Sequence, residues 1–374
     1  MRLPGRRKET RVTDLRSERT DTHNRVSAVV DGVRFWYAAD NLDLTPSPEA
    51  FGSALLLPSI HMRRELSISA PVSPTWRDNA MRLSAIWSEW WGYDPAAINV
   101  PVRSDTAIRA SSTALAFTCG VDSFHALLTG PSPERLVAVH GFDVPLADEH
   151  RMHAFAASVK AVAQETGIKW TIVRTNLREH SAAGRPWLWE RSHGGALASV
   201  AHLLGEHAGH FTISSTYSAD SEHAWGSAEK TDPLFSSDRV LVSHFGTHHH
   251  REKKVQLIAG NALAQRHLRV CWANQSRSGN CSRCEKCLAT MLLLTELGAL
   301  ESFQVFEGTA SLTASLDALP HLIRHMNIVE RLVDRETLPP KMNDAARRLI
   351  VRSRKAAKLH RLRNRIQAAV APHA

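Results

Sequence analysis

Five cysteines occur in the chain, and four of them, Cys271, Cys281, Cys284 and Cys287, follow the pattern C-x9-C-x2-C-x2-C. Four thiolates at that spacing can close a tetrahedral site around Zn2+, with Gly279 and Asn280 letting the chain turn. The last cysteine opens an apolar helix expected over 285–297, whose N-terminal dipole favours thiolate charge. A closed S4 site leaves no position for substrate, so the metal's role there is structural. An iron–sulfur cluster competes for the same ligands, but the Cys-Pro that ends the ferredoxin run is missing.

The second constellation is Phe117-Thr118-Cys119-Gly120-Val121-Asp122-Ser123-Phe124, which leaves a short apolar run and enters a helix. A tight turn there exposes consecutive backbone N–H groups, Thr118 and Ser123 add hydroxyls, and the helix dipole favours an anion at the same point. Asp122 would stand at the helix start and hold a Mg2+ that bridges phosphates. Gly120 allows close backbone approach or a positive φ. No Lys-Ser/Thr follows, so this is not a Walker loop, and the dinucleotide fingerprint G-x-G-x-x-G is also absent. Cys119 reads either as a thiol activated by the helix N-terminus or as a small residue tolerated in the turn.

The segment resembles the Ser-Gly-Gly-x-Asp-Ser motif of the PP-loop ATP pyrophosphatase (adenine nucleotide alpha hydrolase-like) superfamily, with Thr118, Gly120, Asp122 and Ser123 in matching places. Cys119 stands where the first glycine would be. With the cysteine pattern following at the end of the alternating region, Thr113 to Gly298 resembles the 7-cyano-7-deazaguanine synthase family. The resemblance extends to Val139-His140-Gly141-Phe142-Asp143, Trp225-Gly226-Ser227, Asp232-Pro233-Leu234 and His267–Trp272. It implies ATP bound through Thr118, Cys119, Gly120, Val121, Asp122, Ser123 and Asp143, with Mg2+ on Asp122. It also implies Zn2+ on the four cysteines and catalytic roles for Asp122, Ser123 and Lys254. The activity implied is an ATP-dependent ligase that forms AMP and pyrophosphate, adenylating a small-molecule carboxylate or carbonyl for attack by ammonia or an amine. The family's substrate segment is not clearly present, so the deazaguanine substrate is not carried over. The alternatives are an RNA-modifying PP-loop enzyme of thiolase or lysidine type, and a nucleotide-binding module without catalysis.

Other polar residues fall where an α/β sheet binds ligands, just past its strands. Asp143 follows the second strand of the alternating region, and Arg174, Thr175 and Asn176 follow the third. A polar excursion over 214–239 reads as a substrate lid. Arg251, Lys253 and Lys254 open a helix and could neutralise charge on departing pyrophosphate. The run His248-His249-His250 looks metal-like, but three adjacent histidines on a helix cannot face one ion.

The elements that must position these groups alternate from residue 113 onward. Strands are expected near 113–118, 136–139, 170–173, 211–215, 240–244 and 268–272, separated by helices, which indicates a doubly wound parallel sheet. The expected fold is α/β: a flexible charged arm over 1–25 and a small α+β domain over 26–105, with strands near 26–37 and 54–69. A PP-loop domain with a zinc knuckle over 110–300 and a helical extension with a basic tail over 301–374 follow. The Trp87-Trp90-Trp91 cluster, on a helix expected over 75–92, reads as core.

Charge is unevenly placed along the 374 residues, which carry 46 basic and 37 acidic side chains. Residues 1–320 hold 33 of each sign, and residues 321–374 hold 13 basic and 4 acidic, which is the whole surplus of +9. A nucleic-acid or membrane argument from net charge therefore concerns the tail, a basic amphipathic helix suited to RNA or an acidic partner. A hydrophobic fraction of 43% excludes a disordered chain, and no apolar run is long enough to span a bilayer. With no signal-peptide pattern, the expected location is cytoplasmic, and a homo-oligomer is compatible with this composition.

Overall fold

Asp31 (φ 50°) and Gly32 (φ 86°) turn the chain between β2 (Asn24–Val30) and β3 (Val33–Ala39). An Asp-Gly pair at two positive φ values is the connection that matches strand twist in a tight hairpin. The computed structural model describes residues 8–19, 24–104, 108–180, 188–273, 276 and 279–370. Within the stretch read as a charged arm, Glu9–Arg19 forms β1, antiparallel to β2 and parallel to β4 (Glu65–Ile68). Its charges pair with one another, Arg11 with Glu9 and Arg16 with Glu18, while Thr10 and Val12 are buried. The rest of that arm, 1–7 and 20–23, lies outside the described residues.

Residues 54–61, expected to be extended, belong instead to α1 (Pro48–His61). This helix is buried from Glu49 to Ile60 and so carries no polar stripe to betray its period. α2 (Pro74–Trp91) runs as expected: the Ser73 hydroxyl accepts from the Trp76 N–H at 3.4 Å, and Gly92 ends it at φ 66°. Trp76 and Trp87 are core, whereas Trp90 and Trp91 pack at its margin. A short β5 (Ile98–Asn99) pairs with β4.

The alternating region supplies β6 (Thr113–Ala116), α3 (Val121–Thr129), β7 (Arg135–His140), α4 (Glu149–Thr166), β8 (Lys169–Thr175), α5 (Trp189–Leu203), β9 (His210–Ser214) and β10 (Leu241–Phe245). All ten strands form one sheet in the order β10-β9-β6-β7-β8-β3-β2-β1-β4-β5. Among the described residues, six of its nine strand pairings are parallel. The N-terminal strands are not a separate layer, because β3 pairs antiparallel with β8 from Tyr37↔Thr175 to Ala39↔Val173. Asn176 reinforces that seam: its Oδ1 accepts from the Trp36 N–H at 2.9 Å and its Nδ2 donates to the Arg34 carbonyl at 3.0 Å. Thr175 donates to the Trp36 carbonyl at 2.8 Å, so these two candidate ligand residues act as struts.

The chain divides into two compact units, Met1–Thr118 with Asp122–Arg251, and Cys119–Val121 with Glu252–Ala374. The second is helical: α6 (Arg251–Ala259), α7 (Ala262–His267), α8 (Glu285–Glu296), α9 (Thr309–Ala318), α10 (Met326–Arg335) and α11 (Pro340–Val370). The strand expected over 268–272 is irregular instead. On α11, Leu349 and Ile350 are buried, whereas Leu359 and Leu362 are exposed. Arg347, Arg348 and Arg354 pair with Glu336, Asp317 and Glu330, and Arg352 donates to the Leu316 and Leu319 carbonyls. The first half of the basic helix is thus anchored in its own unit. Among the described residues, no helix is long and apolar enough to cross a membrane.

Two stability predictions follow from these contacts. Glu49 is 4% exposed and accepts from Ser47 at 2.8 Å and from the Ser73 N–H at 2.7 Å, while Arg103 bridges it to Asp238. Burial raises its pKa, but His202, Arg103 and Ser47 together hold it below the usual carboxylate range. Its contribution to stability is therefore present above the unfolded value of about 4.3 and is lost as pH falls through the lower folded value. Arg103→Ala removes the cation that bridges buried Glu49 to Asp238 and should cost about 3–5 kcal/mol by urea denaturation at neutral pH. For the tail, deleting residues 355–374 should leave the melting temperature unchanged, whereas Leu349→Ala should cost about 2–5 kcal/mol.

Candidate functional site

β6 lies between β7 and β9 and pairs parallel with both. From β8 to β10 the order is third, second, first, fourth, fifth in the alternating series, so the direction of winding reverses at β6. In open α/β sheets the crevice beyond the carboxyl ends of such strands is where ligands bind. The chain that leaves β6 is Phe117 to Ser123, the segment with the chemistry of an anion cradle.

The left-handed residue of that turn is Cys119, at φ 56°, and not Gly120. A non-glycine residue there costs roughly 1–2 kcal/mol. The thiol is fully buried, and burial drives its pKa far up, so Cys119 is a neutral thiol rather than an activated one. Its carbonyl accepts from the Arg269 N–H at 2.8 Å. In the first unit, the Thr118 N–H donates to Ser123 Oγ at 3.4 Å across the corner. Asp122 lies in the first turn of α3, and its Oδ2 meets Arg251 Nη1 at 3.2 Å, with both side chains mostly buried.

Asp143 is exposed, on the connection after β7. Just before it, Gly141 has φ 106°, and a Cβ there would sit 2.0 Å from the Thr175 carbonyl oxygen, so no other residue fits. Arg174 lines an open cavity of about 440 Å³ with Arg25, Trp36 and Glu149. Lys254 is fully buried on α6 in the second unit.

The excursion over 214–239 has a fixed centre. Asp232 is completely buried and accepts from the Ser227 hydroxyl at 2.6 Å, the Ala228 N–H at 3.3 Å and His244 Nδ1 at 2.8 Å. Ser and His both address the carboxylate rather than each other, which is not the relay of a nucleophilic triad. Gly226 donates to the Glu190 carbonyl at 3.0 Å and accepts from the Gly194 N–H at 2.7 Å. Gly226 therefore ties this segment to α5, and Asp232 ties it to β10 through His244; both were named in the sequence by resemblance or as lid residues.

In the second unit the four cysteines come together as the spacing requires. All are buried, and their sulfurs lie within 4.8 Å of one another. Cys271 and Cys284 are 3.9 Å apart, as are Cys281 and Cys287. Zn–S bonds of about 2.3 Å in a tetrahedron place sulfurs about 3.8 Å apart, whereas a disulfide needs about 2.05 Å. Hydrogen bonding among the thiols, led by Cys281 on Cys271 and by Cys271 on the other two, pulls Cys271 far down and pushes Cys284 and Cys287 up. A divalent ion would resolve that conflict by taking all four as thiolates. The Cys284 N–H donates to Cys281 Sγ at 3.2 Å. Asn280 Oδ1 accepts from the Val270 and Cys271 N–H groups at 2.8 and 3.1 Å, fixing the knuckle's entry.

Glu285, beside the last two ligands, was not read from the sequence. Its Oε1 accepts from the Ile323, Arg324 and His325 N–H groups at 2.9, 2.5 and 2.6 Å, at the start of α10. Burial would raise this carboxylate, but the His325 ring and those amides bring it down to about 2. No spacing in the sequence announces a cap from a residue about 40 positions away.

The molecule is thus an α/β protein with a largely parallel ten-stranded sheet and four buried cysteines that can hold a metal ion such as zinc. No protein-family profile and no curated protein sequence matches the chain. Among solved structures it is similar to a Type III CRISPR defence DNA nuclease activated by cyclic oligoadenylate, at 12% identity and a TM-score of 0.20. That match covers 82% of this chain and 55% of the other, so the chain spans little over half of that structure's length. A TM-score so low carries no argument about fold or activity.

The metal cage generates a direct prediction. Protein purified without added metal should carry one tightly held transition-metal ion on these sulfurs by elemental analysis. Cys281→Ser or Cys287→Ser should lose it and lower the melting temperature of the chain.

Proposed function

We propose that the protein is an ATP-dependent ligase of the PP-loop type, forming AMP and pyrophosphate. The observation that carries this reading is the corner after β6. Its turn is left-handed at Cys119, Ser123 Oγ closes it onto the Thr118 N–H, and Asp122 stands in the first turn of α3, all at the point where the sheet's winding reverses. Such a corner suits the pyrophosphate of ATP, bound by backbone N–H groups and the helix dipole. Asp122 would carry Mg2+, and Arg251 beside it would balance phosphate charge. Asp143, exposed past β7, stands where the nucleoside would be expected. A carboxylate or carbonyl acceptor would attack the α-phosphate, and ammonia or an amine would then displace AMP. In this reading the ion on the four cysteines is zinc with a structural role, because the site is closed and all sulfur.

One observation favours the second reading, a nucleotide-binding module without turnover: Asp122 already engages a cation, Arg251, at 3.2 Å. The RNA-modifying reading rests on the tail beyond residue 354, since Arg347, Arg348, Arg352 and Arg354 have partners in their own unit.

The test is pyrophosphate release from ATP and Mg2+ across a panel of small carboxylic acids with ammonium. The ligase reading expects AMP and pyrophosphate in equal amounts with one acid class, and a loss of at least about 100-fold in Asp122→Asn. Tight ATP binding with no pyrophosphate for any acceptor selects the non-catalytic reading. Cys119→Gly adds a clean comparison. Relief of the left-handed strain offsets a similar loss of buried side-chain contact, so the melting temperature should hardly move while turnover is compared.

A further inference from the structure

The run His248-His249-His250 lies not on a helix but on the turn between β10 and α6, so its side chains diverge. His250 turns to Ser218, with Nδ1 2.7 Å from the hydroxyl, and to Asp220, with Nε2 3.1 Å from the carboxylate. His248 and His249 turn the other way and meet His125 on α3. His125 Nε2 and His249 Nδ1 are 3.0 Å apart, one ring donating and the other accepting. The His248 ring lies 4.2 Å from that of His249 and 5.8 Å from that of His125, centroid to centroid. A ligating nitrogen from each of the three falls within 4.8 Å of the others.

We infer that His125, His248 and His249 form a second metal site, one that takes a divalent late transition ion through three imidazoles. Zn–N bonds of about 2.0–2.1 Å in a tetrahedron set nitrogens about 3.4 Å apart, so the longest separation need close by only about 1.4 Å. His248 is exposed and sits on a turn, where its ring is free to make that adjustment. His125 is the fixed member: it is fully buried, and Phe245 stacks on it at 5.8 Å and 24°. The Thr129 hydroxyl lies 3.2 Å from the same His125 Nε2, a contact that the ion would replace. Neutral imidazole nitrogen selects zinc, nickel, cobalt or copper over Mg2+ or Ca2+.

The site differs in kind from the four-sulfur cage. Three protein ligands leave one position over, and the exposure of His248 opens it to solvent, the arrangement of reactive rather than structural zinc. Water or the anionic oxygen of a phosphate or carboxylate is the ligand chemistry that position takes. His125 follows Asp122 by three residues on α3, one helical turn along the same face. Arg251 meets Asp122 as His249 meets His125, so the turn after β10 runs alongside this face. The ion would therefore sit one turn from the carboxylate at the mouth of the proposed phosphate cradle. Metal binding itself does not depend on the ligase reading and is measured without ATP.

The experiment is a titration of the full-length chain, with zinc retained on its cysteines, with Co2+. The expected result is one further equivalent bound, with the weak visible bands of nitrogen–oxygen ligation and without the intense near-ultraviolet thiolate band. His248→Ala with His249→Ala should abolish that equivalent while the cysteine-bound zinc and the melting curve stay as in the parent. His248→Ala alone, at an exposed position, should weaken Co2+ binding at least tenfold. No extra equivalent in the parent overturns the site, as does an equal one in the double variant or a thiolate band that accompanies Co2+ uptake.

Discussion

The position of β6 is the constraint on which the candidate site depends. Because β6 is flanked by two parallel partners, the chain must leave it at a point where neither neighbour's connection crosses. The turn that follows is short and left-handed, and α3 begins at once, so Thr118, Asp122 and Ser123 are delivered to one corner with little freedom. Everything polar on the neighbouring turns then has a fixed place to meet. Arg251 reaches Asp122, and His249 reaches His125, because the turn after β10 has nowhere else to run.

The two ends of cysteine chemistry in this chain are set by surroundings rather than by residue type. Cys119 is alone, fully buried and held neutral, so it behaves as a small apolar residue despite standing at a helix start. The other four are also buried, but their sulfurs lie 3.9 Å apart across two pairs, close enough for all four to hold one metal ion. The same contrast separates the imidazoles: His250 is satisfied by a hydroxyl and a carboxylate, whereas His248 and His249 gather on a third ring.

Local chemistry was the legible part of the sequence. The apolar spacing over 75–92 marked α2, and the apolar runs at β6 to β10 stood out because buried parallel strands need no polar face. The four-cysteine spacing carried its own geometry. Elements with unusual surroundings were misread. α1 is buried on every side and lacked a period, while β1 wears charges that pair along its own strand and so looked unfolded. At the candidate site, the corner after β6 was visible, but Gly120 was the residue that allowed a positive φ, whereas the left-handed residue is Cys119. His125, Arg251 against Asp122, and the burial of Asp232 depend on contacts across more than a hundred residues, or on a fold-back of the excursion over 214–239, and no local pattern encodes them.

The seam between β3 and β8 has a consequence for how the chain is made. Tyr37 and its partner Thr175 are separated by 138 residues, and β3 has no other partner on that side. During synthesis, at roughly 5–20 residues per second, the N-terminal hairpin therefore waits on the order of ten seconds with one edge unpaired. That edge carries Phe35, Trp36 and Tyr37, the kind of strand that recruits another chain when left open. Nascent protein would be safest where a chaperone covers this edge until β8 emerges, and crowded expression should favour aggregates joined through the first forty residues rather than through the α/β half.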